Sequence, residues 1–212
     1  MLRNTCVYPP DRQVAYLRAS RADLLRLGAL FRVAATSPHS ALHVPVPPDA
    51  QPMTSGYHDT QALSLLVARE DTGLRPSEWP ALRQAMRHGS APLTVTAPAP
   101  RPPERSDDVY RRSARHPAHF TEHGATAVIT GPAEVLFWLG DYLTWAGEQV
   151  ARDRHIHRDG ESFLGDIVGF FAEREAGHMH AFCVVGVEPI FHKARWSTAR
   201  STARSTARSN PW

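Results

Sequence analysis

A chain of 212 residues, 42% of them apolar, has room for one core of ordinary size or two small ones. It holds no apolar run of the length that crosses a membrane, about 18 residues, its two cysteines are too few for a disulfide framework, and five Trp with eight Phe are too many for a wholly disordered chain. The net charge is +3, but Lys193, Arg195, Arg200, Arg204 and Arg208 place five cations and no acid after residue 192, so the preceding residues carry −2 and offer no broad basic face.

The first residues, Met1-Leu-Arg-Asn-Thr-Cys6, lack the apolar core of a secretory signal, so the expectation is a cytoplasmic protein with Cys6 and Cys183 reduced and no membrane partner. Ser20-Arg-Ala-Asp23 resembles a capping box, and Leu24, Leu27, Phe31 and Ala34 follow at helical spacing, which predicts a helix over 20–35. Residues 36–56 carry five prolines and read as a linker. Ala62, Leu65 and Leu66, with Leu63 and Val67, give a second predicted helix over 59–72, stopped by Gly73. Ser77 caps a third over 77–88, with Trp79, Leu82 and Met86 as its apolar stripe. A second proline-rich linker follows at 91–108.

Past it the pattern changes. Residues 125–129 read as a strand and residues from Gly131-Pro132 to about 152 as a long helix. A further helix is predicted over 163–176, and Ala181–Val187 is the strongest strand in the chain. The predicted class is α+β: an N-terminal helical unit (1–90), a linker (91–108), a C-terminal β-α-α-β unit within 109–192 whose elements span 125–187, and a disordered basic tail (193–212) in which Ser-Thr-Ala-Arg repeats three times.

Three groups of residues carry candidate chemistry. The predicted helix pair 59–72 and 77–88 is joined through Gly73, as in a helix-turn-helix, and Arg75, Arg83, Gln84, Arg87 and His88 fall off the apolar stripe, where they would face a DNA groove together with Arg200, Arg204 and Arg208 of the tail. His116, His119 and His123 lie at i, i+3 and i+7, which on a helix is one face suited to zinc; no other cofactor is expected. Trp138, Tyr142 and Trp145 form an aromatic stripe on one helix, the kind of surface through which a chain dimerises or meets a protein partner. No Gly-x-Ser-x-Gly, phosphate loop or dinucleotide fingerprint is present, and no catalytic residue is assigned.

Two local resemblances stand beside this reading. Thr72-Gly-Leu-Arg75-Pro-Ser-Glu78 through Leu82-Arg83 resembles the first catalytic box of tyrosine recombinases, which implies an Arg75 that holds the scissile phosphate; the family's His-x-x-Arg box and nucleophilic tyrosine have no counterpart downstream. His155-Ile-His157-Arg-Asp159 resembles the start of the metallo-β-lactamase motif, which implies two metal-binding His and a second-metal Asp, with Gly160 where that motif has its last His. The residues together favour a non-enzymatic DNA-associated or regulatory protein, of the kind a mobile element in a high-GC bacterium carries. The alternatives are an interaction or accessory module that dimerises through its aromatic helix and, behind it, a metal-dependent hydrolase.

Overall fold

Ser20 ends a strand and starts a helix: its hydroxyl accepts from Asp23 N at 3.3 Å, and the Asp23 carboxylate in turn accepts from Asn4 N at 2.6 Å and from Arg26. The computed structural model describes residues 2, 4–11, 14–46, 53–55, 58–86, 94–101, 115–159, 161–168 and 181–187. The chain is α+β, with ten strands and four α-helices among those residues. A hairpin of β1 (Thr5–Asp11) and β2 (Val14–Ser20) leads into α1 (Arg21–Thr36), and β3 (Ala41–Val44) follows. A small separate hairpin, β4 (Met53–Ser55) with β5 (His58–Thr60), precedes β6 (Ser64–Arg69). Then come α2 (Trp79–Met86), the hairpin β7 (His119–His123) and β8 (Thr126–Gly131), α3 (Ala133–Val150), α4 (Arg154–Asp159), β9 (Glu161–Val168) and β10 (Ala181–Val187).

The strands form two four-stranded sheets, ordered β1-β2-β10-β9 and β3-β6-β8-β7. In both, a hairpin lies beside a parallel central pair, β2 with β10 and β8 with β6, and the remaining strand runs antiparallel at the far edge. Apart from the β4–β5 hairpin inserted before β6 and the short α4 inserted before β9, the order strand-strand-helix-strand-strand therefore occurs twice, and each sheet combines the first hairpin of one repeat with the second strand pair of the other. The register agrees between the two. Val14 faces Ala181 across the first central pair, and Thr126, the residue at Val14's place in the second repeat, faces Ser64 across the other.

The helices carry the same relation. At a spacing of 112 residues, Leu24, Leu27, Gly28 and Ala34 of α1 correspond to Leu136, Leu139, Gly140 and Ala146 of α3, all identical and all buried. A twofold axis brings equivalent positions together, and they do meet. A methyl group on Gly28 would lie 2.6 Å from the Gly140 carbonyl oxygen, and one on Gly140 would lie 2.7 Å from that of Gly28. Arg32 likewise donates to the Oγ1 of Thr144, the residue at its own position in the other repeat, at 2.7 Å. The fold is thus a structural repeat arranged about a pseudo-dyad at the α1–α3 crossing. One core spans both repeats, from Val7 and Leu17 through Leu24, Leu27 and Phe31 to Ile129, Leu136, Leu143 and Val184.

This arrangement corrects three expectations. Residues 59–72 are not a helix, because Ser64–Arg69 is the central parallel strand β6, and the helix-turn-helix pairing with 77–88 is therefore not formed. Ser64 through Ala68 are all buried because both faces of the strand are covered, which gives a continuous apolar run rather than alternation. Residues 161–168 are strand β9 rather than the start of a helix, while 169–176 lie outside the described residues. The separate helical and β-α-α-β units give way to two sheets that each draw strands from both halves. The helices of residues 20–35 and of the stretch after Pro132 are α1 and α3, and the strand at Ala181–Val187 is β10. The tail at 193–212 lies outside the described residues.

On the outer face of β6 and β8, Trp79 covers Leu66 and Val128 and is 2% exposed. Its indole N–H donates to Thr126 Oγ1 at 3.1 Å, and the His43 ring packs against it at 4.8 Å. Burial, and then the charge of Arg83, holds His43 below the usual histidine range, and its buried Nε2 has no hydrogen-bond partner among the described residues. With the folded pKa depressed, this contribution to stability is complete above the unfolded value of about 6.5 and is lost as pH falls toward the folded value. Urea midpoints at pH 7.5 and 5.5 are expected to differ less in His43→Phe than in the native chain; an equal difference would show that His43 carries none of the acid sensitivity.

Candidate interaction surface

Along α3, Trp138, Tyr142 and Trp145 form a ladder, with ring centroids 5.4 Å apart for the first pair and 5.3 Å for the second. Their spacing places them on one side of the helix, away from Leu136, Leu139, Leu143 and Ala146 in the core. Trp138 and Tyr142 are half-buried against that core, whereas Trp145 is 42% exposed.

The ladder runs beside β9. The Tyr142 hydroxyl lies where a Cβ on Gly165 would stand, and Gly165 has a φ of 153°, so both space and backbone reserve this position for glycine. The strand breaks register here: Val184 faces Gly165, but Val185 faces Phe163, which leaves Leu164 as the bulged residue. Helix and strand run in opposite directions, since Val150 at the end of α3 shares the space over Gly186 with Leu164. Trp145 lies three residues past Tyr142, about 4.5 Å along the helix, and Phe163 two residues before Gly165, about 6.6 Å along the strand. Trp145 and Phe163 therefore stand at nearly the same level but on opposite faces of the sheet, because Phe163 pairs with Val185 whereas Val184 and Gly186 face the helix, and Phe163 is 57% exposed.

Among the described residues, β9 is an edge strand of the first sheet. The other three edges of the two four-stranded sheets are short or interrupted: β1 contains Pro9 and Pro10, β3 has four residues before Pro45, and β7 has five residues after Pro117. Such features discourage pairing. By contrast, β9 is eight residues long and contains no proline, and its one interruption is the bulge at Leu164. Its acids are engaged within the chain, Glu161 by Arg18 and Asp166 by the Cys183 thiol on the adjacent strand.

The thiol and the phenol near this edge are neutral rather than reactive. Burial and then Asp166 push the Cys183 thiol up to about 12. Burial, then Asp166 and Cys183, push the Tyr142 phenol up to about 12 as well. Cys183 is consequently a protonated, buried thiol at physiological pH, which does not suit it to nucleophilic catalysis.

The other sequence candidates are dispersed. Arg75 is exposed ahead of α2; Arg83 is half-buried and Gln84 exposed on α2 itself; Arg87, His88, Arg200, Arg204 and Arg208 lie outside the described residues. The stretch that resembles a recombinase box runs from a 3-10 turn at Glu70–Thr72 into α2, with Arg75 N–H donating to Glu78 at 3.4 Å. His119 and His123 lie on strand β7, not on a helix, and His116 stands exposed in the turn before it. His119 and His123 share a face of the strand but lie four residue steps, about 13 Å, apart, which is too far for both to hold one metal ion. Among the described residues no group of three or more His, Cys, Asp or Glu is placed to hold a metal ion, and none of the helices is long and apolar enough to cross a membrane. Sequence reasoning missed Phe163 because it placed that residue inside a helix; the glycine two positions on, which a strand bulge can use, was the available signal.

No family model matches the chain, and neither does any curated protein or solved structure.

Proposed function

We propose that the chain is a non-enzymatic interaction module that self-associates through the β9 edge, with Trp145 of α3 on one side of it and Phe163 on the other. The observation that carries this reading is the pair of exposed aromatics, Trp145 and Phe163, flanking a long, proline-free sheet edge. A strand edge with unpaired N–H and C=O groups adds another strand readily, and adjacent aromatic side chains supply the apolar area that makes such an addition stable. Antiparallel pairing of two β9 strands about Leu164–Gly165 sets no acid opposite an acid, so the edge is compatible with itself. A DNA-associated role draws on Arg75, Arg83 and the basic tail, without the helix pair that would have presented them to a groove.

Sedimentation velocity from 1 to 200 µM tests the proposal. The mass is expected to rise from 23.5 kDa toward twice that value, and Phe163→Asp and Trp145→Asp are each expected to weaken association at least tenfold while leaving the near-UV dichroism of the monomer intact. A native chain that stays monomeric throughout would overturn it.

A further inference from the structure

Of the proline-rich stretch read from sequence as a linker, residues 94–101 are described, and 97–101 are seated on the crossing of the two helices. Three contacts of different kinds hold it. Arg32, 4% exposed, donates its Nε–H to the Pro98 carbonyl at 2.9 Å. The Arg101 backbone N–H donates to Asp141 Oδ1 at 3.3 Å, and the Arg101 guanidinium lies 3.8 Å from the centre of the Phe137 ring. Ala97 and Pro98 are half-buried, and the rest of the strap is exposed.

The conformation follows from the sequence Ala97-Pro-Ala-Pro-Arg101-Pro. Each proline fixes its own φ and pushes the residue before it toward extended geometry, so the strap is nearly ordered before it docks and loses little entropy on docking. A carbonyl of such a segment capped by a side-chain donor, with an adjacent aromatic and an acid taking up the arginine end, is the general chemistry by which proline-rich ligands are recognised.

The structural repeat supplies a comparison inside the same molecule. The residues that receive the strap are Arg32, Asp141 and Phe137. Their equivalents across the pseudo-dyad are Thr144, Ala29 and Leu25. The buried cation, the acid and the aromatic ring therefore occur on one side of the crossing only, where the strap lies, while the shared core positions Leu24, Leu27 and Gly28 are the same in both repeats. Packing alone would treat the two sides alike.

We infer that the α1–α3 crossing is a docking site for extended proline-rich segments carrying an arginine, occupied in this structure by the chain's own strap. A partner segment of the same chemistry competes with the strap for it. With a tethered strap at an effective concentration of about 1 mM, a site at least nine-tenths closed corresponds to a dissociation constant for the free segment of about 0.1 mM or below.

The test uses the full-length chain and a fluorescein-labelled peptide of sequence Thr-Val-Thr-Ala-Pro-Ala-Pro-Arg, with anisotropy as readout. The native chain is expected to bind it at least tenfold more weakly than a chain in which residues 97–101 are replaced by Gly-Ser-Gly-Ser-Gly, and Phe137→Ala in that background is expected to abolish binding. Arg101→Ala, at an exposed position, is expected to give an intermediate gain of several-fold and serves if the larger replacement does not fold. Absence of binding to folded strap variants, or binding that ignores Phe137, would overturn the proposal.

Discussion

Gly140→Ala is expected to destabilise the chain by about 3 kcal/mol. At this chain length that lowers the melting temperature by about 6 to 12 °C. The added methyl would lie 2.7 Å from the Gly28 carbonyl oxygen and 2.9 Å from Arg32 Cγ, and the first of these is backbone that can yield only if the two helices separate. Helix propensity works the other way, because alanine is the better helix former by about 1 kcal/mol, but a backbone clash at a close-packed crossing outweighs it. Gly28→Ala strikes the same contact from the other side, 2.6 Å from the Gly140 oxygen. The two single substitutions are therefore expected to cost similar amounts, and the double substitution less than their sum, since helices already forced apart accept the second methyl more easily. Thermal unfolding of the three variants checks this; a neutral Gly140→Ala would mean that the helices do not meet at these glycines.

The second large effect concerns Arg32. Its guanidinium donates to Gly140 O at 3.2 Å and to Thr144 Oγ1, donates to Pro98 O through Nε, and lies 3.5 Å from Asp141 Oδ1. Burial lowers the pKa of Arg32 and raises that of Asp141, so each charge is disfavoured where it stands and depends on the other. Arg32→Met keeps the aliphatic stem but removes the donor from Pro98 O and Thr144 Oγ1 and the counter-charge from Asp141, which keeps the Arg101 N–H, while Gly140 O keeps the Thr144 hydroxyl. The expected loss is about 3 to 5 kcal/mol, the range for removing one member of a buried pair. Arg32→Met with Asp141→Leu removes both charges and is expected to recover part of that loss. Chemical denaturation of the single and double variants measures it. A double variant no better than the single would mean that the carbonyl bonds, not the ion pair, carry the stabilisation.

How much of this was legible in the sequence depended on the faces each element presents. α1 and α3 were readable because each buries one side and bears a recognisable start, Ser20 with Asp23 in one case and Pro132 in the other. β10 was readable because Val184, Val185 and Val187 favour a pleated strand. β6 was not, because Ser-Leu-Leu-Val-Ala is buried on both faces and such a run has no period to distinguish strand from helix. The repeat escaped notice because the positions identical at a spacing of 112 are small or aliphatic residues, Leu24, Leu27, Gly28 and Ala34, whose recurrence means little until the helices are seen to cross there. Of the candidate site, Trp138, Tyr142 and Trp145 were found from helical spacing alone. Phe163 and the strap could not be, since one needed the register of β9 and the other a contact between residues as far apart as Arg32 and Pro98.

The most direct test of the interaction reading is hydrogen exchange of the β9 amides, followed by mass spectrometry at 2 µM and at 200 µM. Self-association through this edge predicts that protection of peptides covering Glu161–Val168 rises with concentration while that of β1 and β7, the proline-marked edges, stays constant. Protection of β9 that is the same at both concentrations would contradict it.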